Sequence, residues 1–203
     1  MKKEKKDELA LDILREMGNI GIGSAVTALS NMTGKPIDER FPKVMRLNYS
    51  RLIEILGADD ESVLGILFPV CGELTGYLLF VWKQDFVSEI FKALTGAETS
   101  LRELDEERIS IIKEIANIMA SSYFTAISSY TGKNIEIHAP AVSVDMVGAV
   151  VTDQAGWNPS REKDMVCIQN GFSAQKAGEV SHLCFMMHQE SAMHLLQSLG
   201  VEI

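Results

Sequence analysis

Apolar residues recur at helical spacing from about Lys6 to Met32 and again from about Asp105 to Tyr130. Each run stops at a Thr-Gly-Lys triplet, Thr33-Gly34-Lys35 and Thr131-Gly132-Lys133, where glycine supplies a helix end. A short segment then passes through Pro42 or Pro140 into an expected strand, near Val44 to Asn48 and Val142 to Val147. Both prolines are placed at a strand start, which tolerates the missing N–H. Residues Val63 to Val70 and Glu73 to Trp82 run apolar with alternation about Cys71-Gly72, the pattern of a hairpin, and Met165 to Ser173 with Glu179 to His188 repeats it. A closing helix is expected after each hairpin, near Asp85 to Thr95 and Glu190 to Leu199. Helix, strand, hairpin and helix, written twice, predict an α+β fold: an antiparallel sheet with two long helices and additional short helices packed on it, related by a pseudo-two-fold.

The repeat is explicit in the residues. At an offset of 98, 14 of the 33 positions from Asp12/Ser110 to Val44/Val142 are identical, among them Glu16, Asn19, Thr27, Gly34 and Pro42. Further on the match is weaker and shifts to 105, where Phe80, Gln84 and Leu94 meet Phe185, Gln189 and Leu199, so inserted residues are expected around Asp153 to Lys163. One domain is expected over 1–203, with a first repeat at about 9–98 and a second at about 107–203 sharing one sheet. A cut between them would then leave neither half a complete core.

At about 100° per residue, Leu11, Leu14, Gly18, Gly21, Ala25, Ala28, Leu29 and Met32 form a stripe expected to face the sheet. In the second helix Ile109, Ile112, Ala116, Met119, Tyr123, Ala126, Ile127 and Tyr130 take that side. The opposite faces read Asp12, Glu16, Asn19, Gly23, Thr27, Ser30 and Ser110, Glu114, Asn117, Ser121, Thr125, Ser128. A solvated helix face usually carries pairs of Lys and Glu. These carry one carboxylate, one amide and otherwise small residues, so another surface could approach the backbone closely, as in docking. Gly18, Gly21 and Gly23 are expected to make the first helix intrinsically weaker than the second.

Composition narrows the functional classes. With 19 Lys and Arg against 28 Asp and Glu, the net charge of −9 provides no summed positive field for nucleic acid. No run of about 18 apolar residues suits a membrane span, and the opening MKKEKKDELA lacks a signal peptide's apolar segment. A cytoplasmic protein, inserted in no membrane and acting as a monomer, is expected. Three cysteines, Cys71, Cys167 and Cys184, form no C-x-x-C and read as buried reduced thiols.

The doubled pattern Asp/Ser-x3-Glu-x2-Asn, followed 23 positions later by Pro, occurs as Asp12, Glu16, Asn19, Pro42 and as Ser110, Glu114, Asn117, Pro140. It resembles the CheC, CheX and FliY family of bacterial chemotaxis phosphatases, over nearly the whole chain, and two sites in this length are most similar to the CheC branch. The resemblance implies hydrolysis of the aspartyl phosphate on the receiver protein CheY. It implies catalytic roles for Glu16, Asn19, Glu114 and Asn117, the Asn residues orienting water and the Glu residues anchoring the receiver, with Asp12 and Ser110 in support. It also implies Mg²⁺ in the receiver, no cofactor of the chain's own, and CheD as a second partner.

Asp145 replaces Leu47 of the first repeat and is a candidate partner-binding residue, although a plain solvent-facing strand position accounts for it as well. Two alternatives follow from the resemblance: an adaptor that mainly binds CheD, and a FliY-like flagellar switch component, for which Met1 to Glu8 is the one candidate docking segment. Other chemistry is weakly supported. The glycines from Gly18 to Gly23 lie inside a helical pattern with no strand before them, which fits neither a dinucleotide fold nor a P-loop. His182, His188 and His194 lack partners at metal-ligand spacing, and nothing basic is placed to activate Cys184.

Overall fold

The computed structural model describes residues 2–47, 49–57, 60–153, 165–174 and 178–201. Helix α1 (Lys2–Thr33) leads into β1 (Asp38–Leu47), α2 (Tyr49–Leu56), the hairpin β2 (Ser62–Gly72) and β3 (Gly76–Trp82), and α3 (Gln84–Thr95). A 3-10 turn (Leu101–Glu103) joins this to the second copy. There α4 (Glu106–Thr131) is followed by β4 (Ile135–Ile137), β5 (Ala141–Met146), α5 (Val147–Asp153), the hairpin β6 (Met165–Ser173) and β7 (Ser181–His188), and α6 (Gln189–Ser198). The two long helices end alike: the N–H groups of Gly34 and Gly132, both left-handed, donate to Ser30 O and Ser128 O at 2.9 and 2.8 Å. Asp105 caps the start of α4, its carboxylate accepting from Arg108 N.

The antiparallel sheet has the order β1-β6-β7-β3-β2-β4, with β5 also on β2. The strand after each long helix therefore lies on the other repeat's hairpin. Val44 of β1 pairs with Ile168 of β6, and the equivalent Val142 of β5 pairs with Ile66 of β2. At the centre Leu79 of β3 pairs with Cys184 of β7, its own equivalent at the offset of 105, so the pseudo-two-fold passes between these two strands. These registers divide the inserted residues into two places: the offset rises from 98 to 102 between β5 and β6, and to 105 across the longer second hairpin turn. The expected insertion at 153–163 lies almost wholly outside the described residues.

The hairpin strands alternate between two cores because their side chains have period two. Leu64, Ile66, Phe68, Phe80, Trp82, Ile168, Phe172 and Phe185 face α1, α4, α3 and α6. Val63, Leu67, Leu79, Val81, Cys167, Cys184 and Met186 face Leu52, Ile53 and Leu56 of α2 and Val147, Val150 and Val151 of α5. Burial on both sides explains why these strands read as almost continuous apolar runs. The sequence pattern did not locate α2 and α5, which are shorter than the window over which helical periodicity becomes distinct.

Several sequence expectations are corrected. Leu11 and Tyr130 are exposed rather than part of the buried stripe, which instead includes Met17, Ile22, Val26, Ile115, Ala120 and Phe124. Pro42 lies inside β1, at an irregularity between Arg40 and Lys43, and not at its start. Two glycines of α1 serve close approach: a Cβ on Gly18 would stand 2.6 Å from Ile168 Cγ2, and one on Gly21 would stand 2.5 Å from the Tyr123 ring of α4. Cys167 and Cys184 are buried, the Cys167 thiol pushed up by its hydrogen bond to Cys184 and by burial, but Cys71 is only half-buried and lies 3.2 Å from His138 Nε2.

His182 of β7 is half-buried, its Nδ1 2.9 Å from Gln169 Nε2. Desolvation first, then the charges of Lys83, Arg40 and Lys43, lower its pKa to about 4, against a smaller opposing effect of Glu61. The folded chain thus binds fewer protons here than the unfolded chain, so stability is full above about pH 6.5 and falls as pH drops toward 4. Urea unfolding of His182→Gln is expected to lose that part of the pH dependence between pH 6.5 and 4 while keeping its stability near pH 7.5; an unaltered slope would disprove the assignment.

Candidate functional site

The outer faces of α1 and α4 are where the sequence motif stands. Glu16, Glu114 and Asn117 are exposed and Asn19 is half-buried. Residues three apart on a helix have Cβ atoms about 5–6 Å apart, so each Glu–Asn pair presents one carboxylate and one amide to the same partner surface. Asp12 and Ser110 stand one turn earlier, both exposed, and Asp12 accepts from Arg15 at 3.2 Å. An exposed pair of this kind contributes at most about 0.5 kcal/mol, so Asp12 remains available to a partner.

One turn beyond each Asn the face opens into a shallow groove. Beside α1 it holds about 470 Å³ and is lined by Gly23, Val26, Thr27, Ser30, Ile37 and Glu39, with Pro36 and Asp38. Beside α4 it holds about 320 Å³ and is lined by Ser121, Phe124, Thr125, Ser128, Ile135 and Ile137, with Ser129. The six named first in each groove are equivalent at the offset of 98. The pseudo-two-fold has therefore produced the same arrangement twice, a Glu, an Asn and a recess one turn beyond, with Val26 and Glu39 of the first recess replaced by Phe124 and Ile137 in the second. The strand-side walls, Ile37 and Glu39 or Ile135 and Ile137, were not found from the sequence, because only the fold brings the post-helix strand back along the helix.

Backbone close approach fixes the two helices against each other. Gly21 lets Tyr123 cross onto α1, and the two-fold maps this contact onto the buried pair Ala25 and Met119. Beneath the first site the buried Asn170 donates its amide to Gly18 O at 3.4 Å, whereas its equivalent beneath the second site is Phe68. Asp145 belongs to neither face. It is an exposed residue of β5 opposite Val63, with its carboxylate accepting from Met146 N at 2.7 Å. Among the described residues no group of three or more His, Cys, Asp or Glu side chains converges as a metal site, and no helix is long and apolar enough to cross a membrane.

A model of the CheC-like family matches residues 9–46 and 107–144, two segments separated by the same offset of 98 and each containing a Glu–Asn pair. The CheY-P phosphatase CheC of Bacillus subtilis is 32% identical over 149 residues, covering 72% of this chain and 71% of that protein. The flagellar motor switch phosphatase FliY of the same organism is 27% identical over 161 residues, covering 78% of this chain but 41% of FliY. The crystal structure of Thermotoga maritima FliY superposes with a TM-score of 0.72 at 23% identity, covering 93% of this chain and 94% of that one.

Proposed function

Because this chain belongs to the CheC-like family, we propose that it hydrolyses the aspartyl phosphate of the response regulator CheY, using the two helix faces as alternative sites. The observation that carries the reading is the Glu–Asn pair repeated on equivalent, accessible faces whose other side chains are small. In the reaction a water oxygen attacks phosphorus and the bond from phosphorus to the aspartyl oxygen breaks. The products are a free receiver carboxylate and inorganic phosphate, which takes the water oxygen and both of its protons as dihydrogen phosphate.

The receiver holds Mg²⁺ and a lysine beside the phosphoryl group, and these supply the electrostatic stabilisation. What this chain adds is position. The amide of Asn19 or Asn117 both accepts from and donates to the attacking water, holding it in line with the breaking bond. Glu16 or Glu114 pairs with the receiver lysine and so sets the register of the helix against the receiver. No strong base is required, and no cofactor of the chain's own enters. Phosphate release from phosphorylated CheY tests this directly: a wild-type chain that fails to accelerate release beyond the receiver's own decay overturns it.

A second reading, CheD binding, is favoured by the β5 edge, where Val144 and Met146 are 37% and 48% exposed on either side of Asp145. An apolar edge strand with one carboxylate suits a protein partner. Titration with CheD is expected to show binding weakened at least about tenfold by Asp145→Lys through like-for-unlike charge reversal. Unchanged binding removes this strand from the CheD surface.

A further inference from the structure

The two sites are not equal at their rims. Strand β1 runs back along α1: the atom nearest to a Cβ built on Gly23 is Glu39 Oε2 at 3.9 Å, and one built on Gly18 would stand 2.8 Å from Pro42 Cβ. Positions 39 and 42 thus bracket Asn19 between two helix residues. Within that bracket the strand bulges. Arg40 pairs with Gly171 and Lys43 with Gln169, leaving Phe41 and Pro42 opposite Asn170 alone. Pro42 turns inward and is buried, and Phe41 turns outward and is 90% exposed, more than any other large apolar side chain among the described residues.

An exposed phenyl ring forgoes roughly 2 kcal/mol of burial, and aromatic side chains dominate the energetics of protein interfaces when a partner covers them. Arg40 and Lys43, on either side of the bulge, turn to the other face of the sheet, Arg40 against Gly171 and Lys43 beside Gln169 and His182, so the ring alone marks the first-site rim. The equivalent of Phe41 in the second repeat is Ala139, which presents no ring to a partner. A receiver docked with its acyl phosphate at Asn19 would lay its own surface over this ring.

We propose that Phe41 is a recognition residue of the first site, covered by an apolar recess beside the acyl phosphate of the docked receiver, and that it makes the first site the tighter of the two. The inference rests on the reading of α1 and α4 as phosphatase faces. Asn117→Ala leaves the first site alone and Asn19→Ala leaves the second. In the first-site protein, Phe41→Ala is expected to raise KM for phosphorylated CheY roughly tenfold, with the larger part of the change in KM rather than kcat. In the second-site protein, Ala139→Phe is expected to lower KM. A KM within twofold after Phe41→Ala overturns the proposal.

Titration with beryllofluoride-activated CheY reads docking without turnover, and there Phe41→Ala is expected to remove the tighter of two binding phases. An unchanged isotherm overturns the role of Phe41 even if the Asn variants lose all activity. A lost tight phase, in a chain whose double Asn variant still releases phosphate, upholds the docking role and overturns the catalytic assignment instead.

Discussion

Asn19→Ala combined with Asn117→Ala is expected to bring phosphate release from phosphorylated CheY down to the receiver's unassisted rate, a loss of at least about 100-fold where orientation is the main contribution to catalysis. The magnitude follows from what the amide does. Neither Glu16 nor Glu114 would replace it, because each stands one turn away on the same face and has, in the proposed mechanism, the docking role. Alanine leaves the water without either of its two fixed hydrogen bonds while keeping the helix, since alanine is the best helix former. Each single variant retains the other site, so equal sites would leave half the activity and any departure from half ranks them. The Glu16→Gln/Glu114→Gln double variant is expected to raise KM more than it lowers kcat, because it weakens the lysine contact and spares the water. Retention of half the wild-type rate by the double Asn variant would remove the proposed catalytic role.

The second large effect concerns the seam between the repeats. Gly76 opens β3 opposite Met187 of β7, with φ +151°, and a Cβ there would stand 2.0 Å from Met186 O. That neighbour is backbone in a central strand pair and has no rotamer by which to yield. Gly76→Ala is therefore expected to cost at least about 3 kcal/mol, combining an unfavourable backbone conformation with a clash. Gly34→Ala is the control: its φ is +66°, nothing lies within 4 Å of a Cβ, and the expected cost is about 1–2 kcal/mol from conformation alone. Urea unfolding of both variants decides between conformation and clash. Equal losses would mean that β7 moves aside at little cost.

Phe41 shows how far a one-dimensional pattern reaches. In the sequence it is one apolar residue before a proline, and nothing distinguishes it from a residue of the strand core. Its exposure arises because Pro42 is drawn under Gly18 and the strand must bulge to allow it. Tyr130 and Leu11 erred in the opposite direction. They continue the 100° stripe along each helix, yet both are exposed, and at the end of α4 it is the neighbouring Thr131 that is buried.

The sequence by itself determined the duplication, the two long helices with their polar faces, the hairpins and the Glu–Asn pairs, because these are local: each follows from spacing within one element or from identity between copies. Tertiary structure alone decided that β1 lies on the second hairpin and β5 on the first, and that α2 and α5 cover the second face of the sheet. It also decided that the post-helix strands return to wall the two grooves. Strand partners far apart in sequence leave no periodicity in either strand, since an apolar residue satisfies the pattern against any apolar neighbour. Only the packed chain selects which neighbour that is.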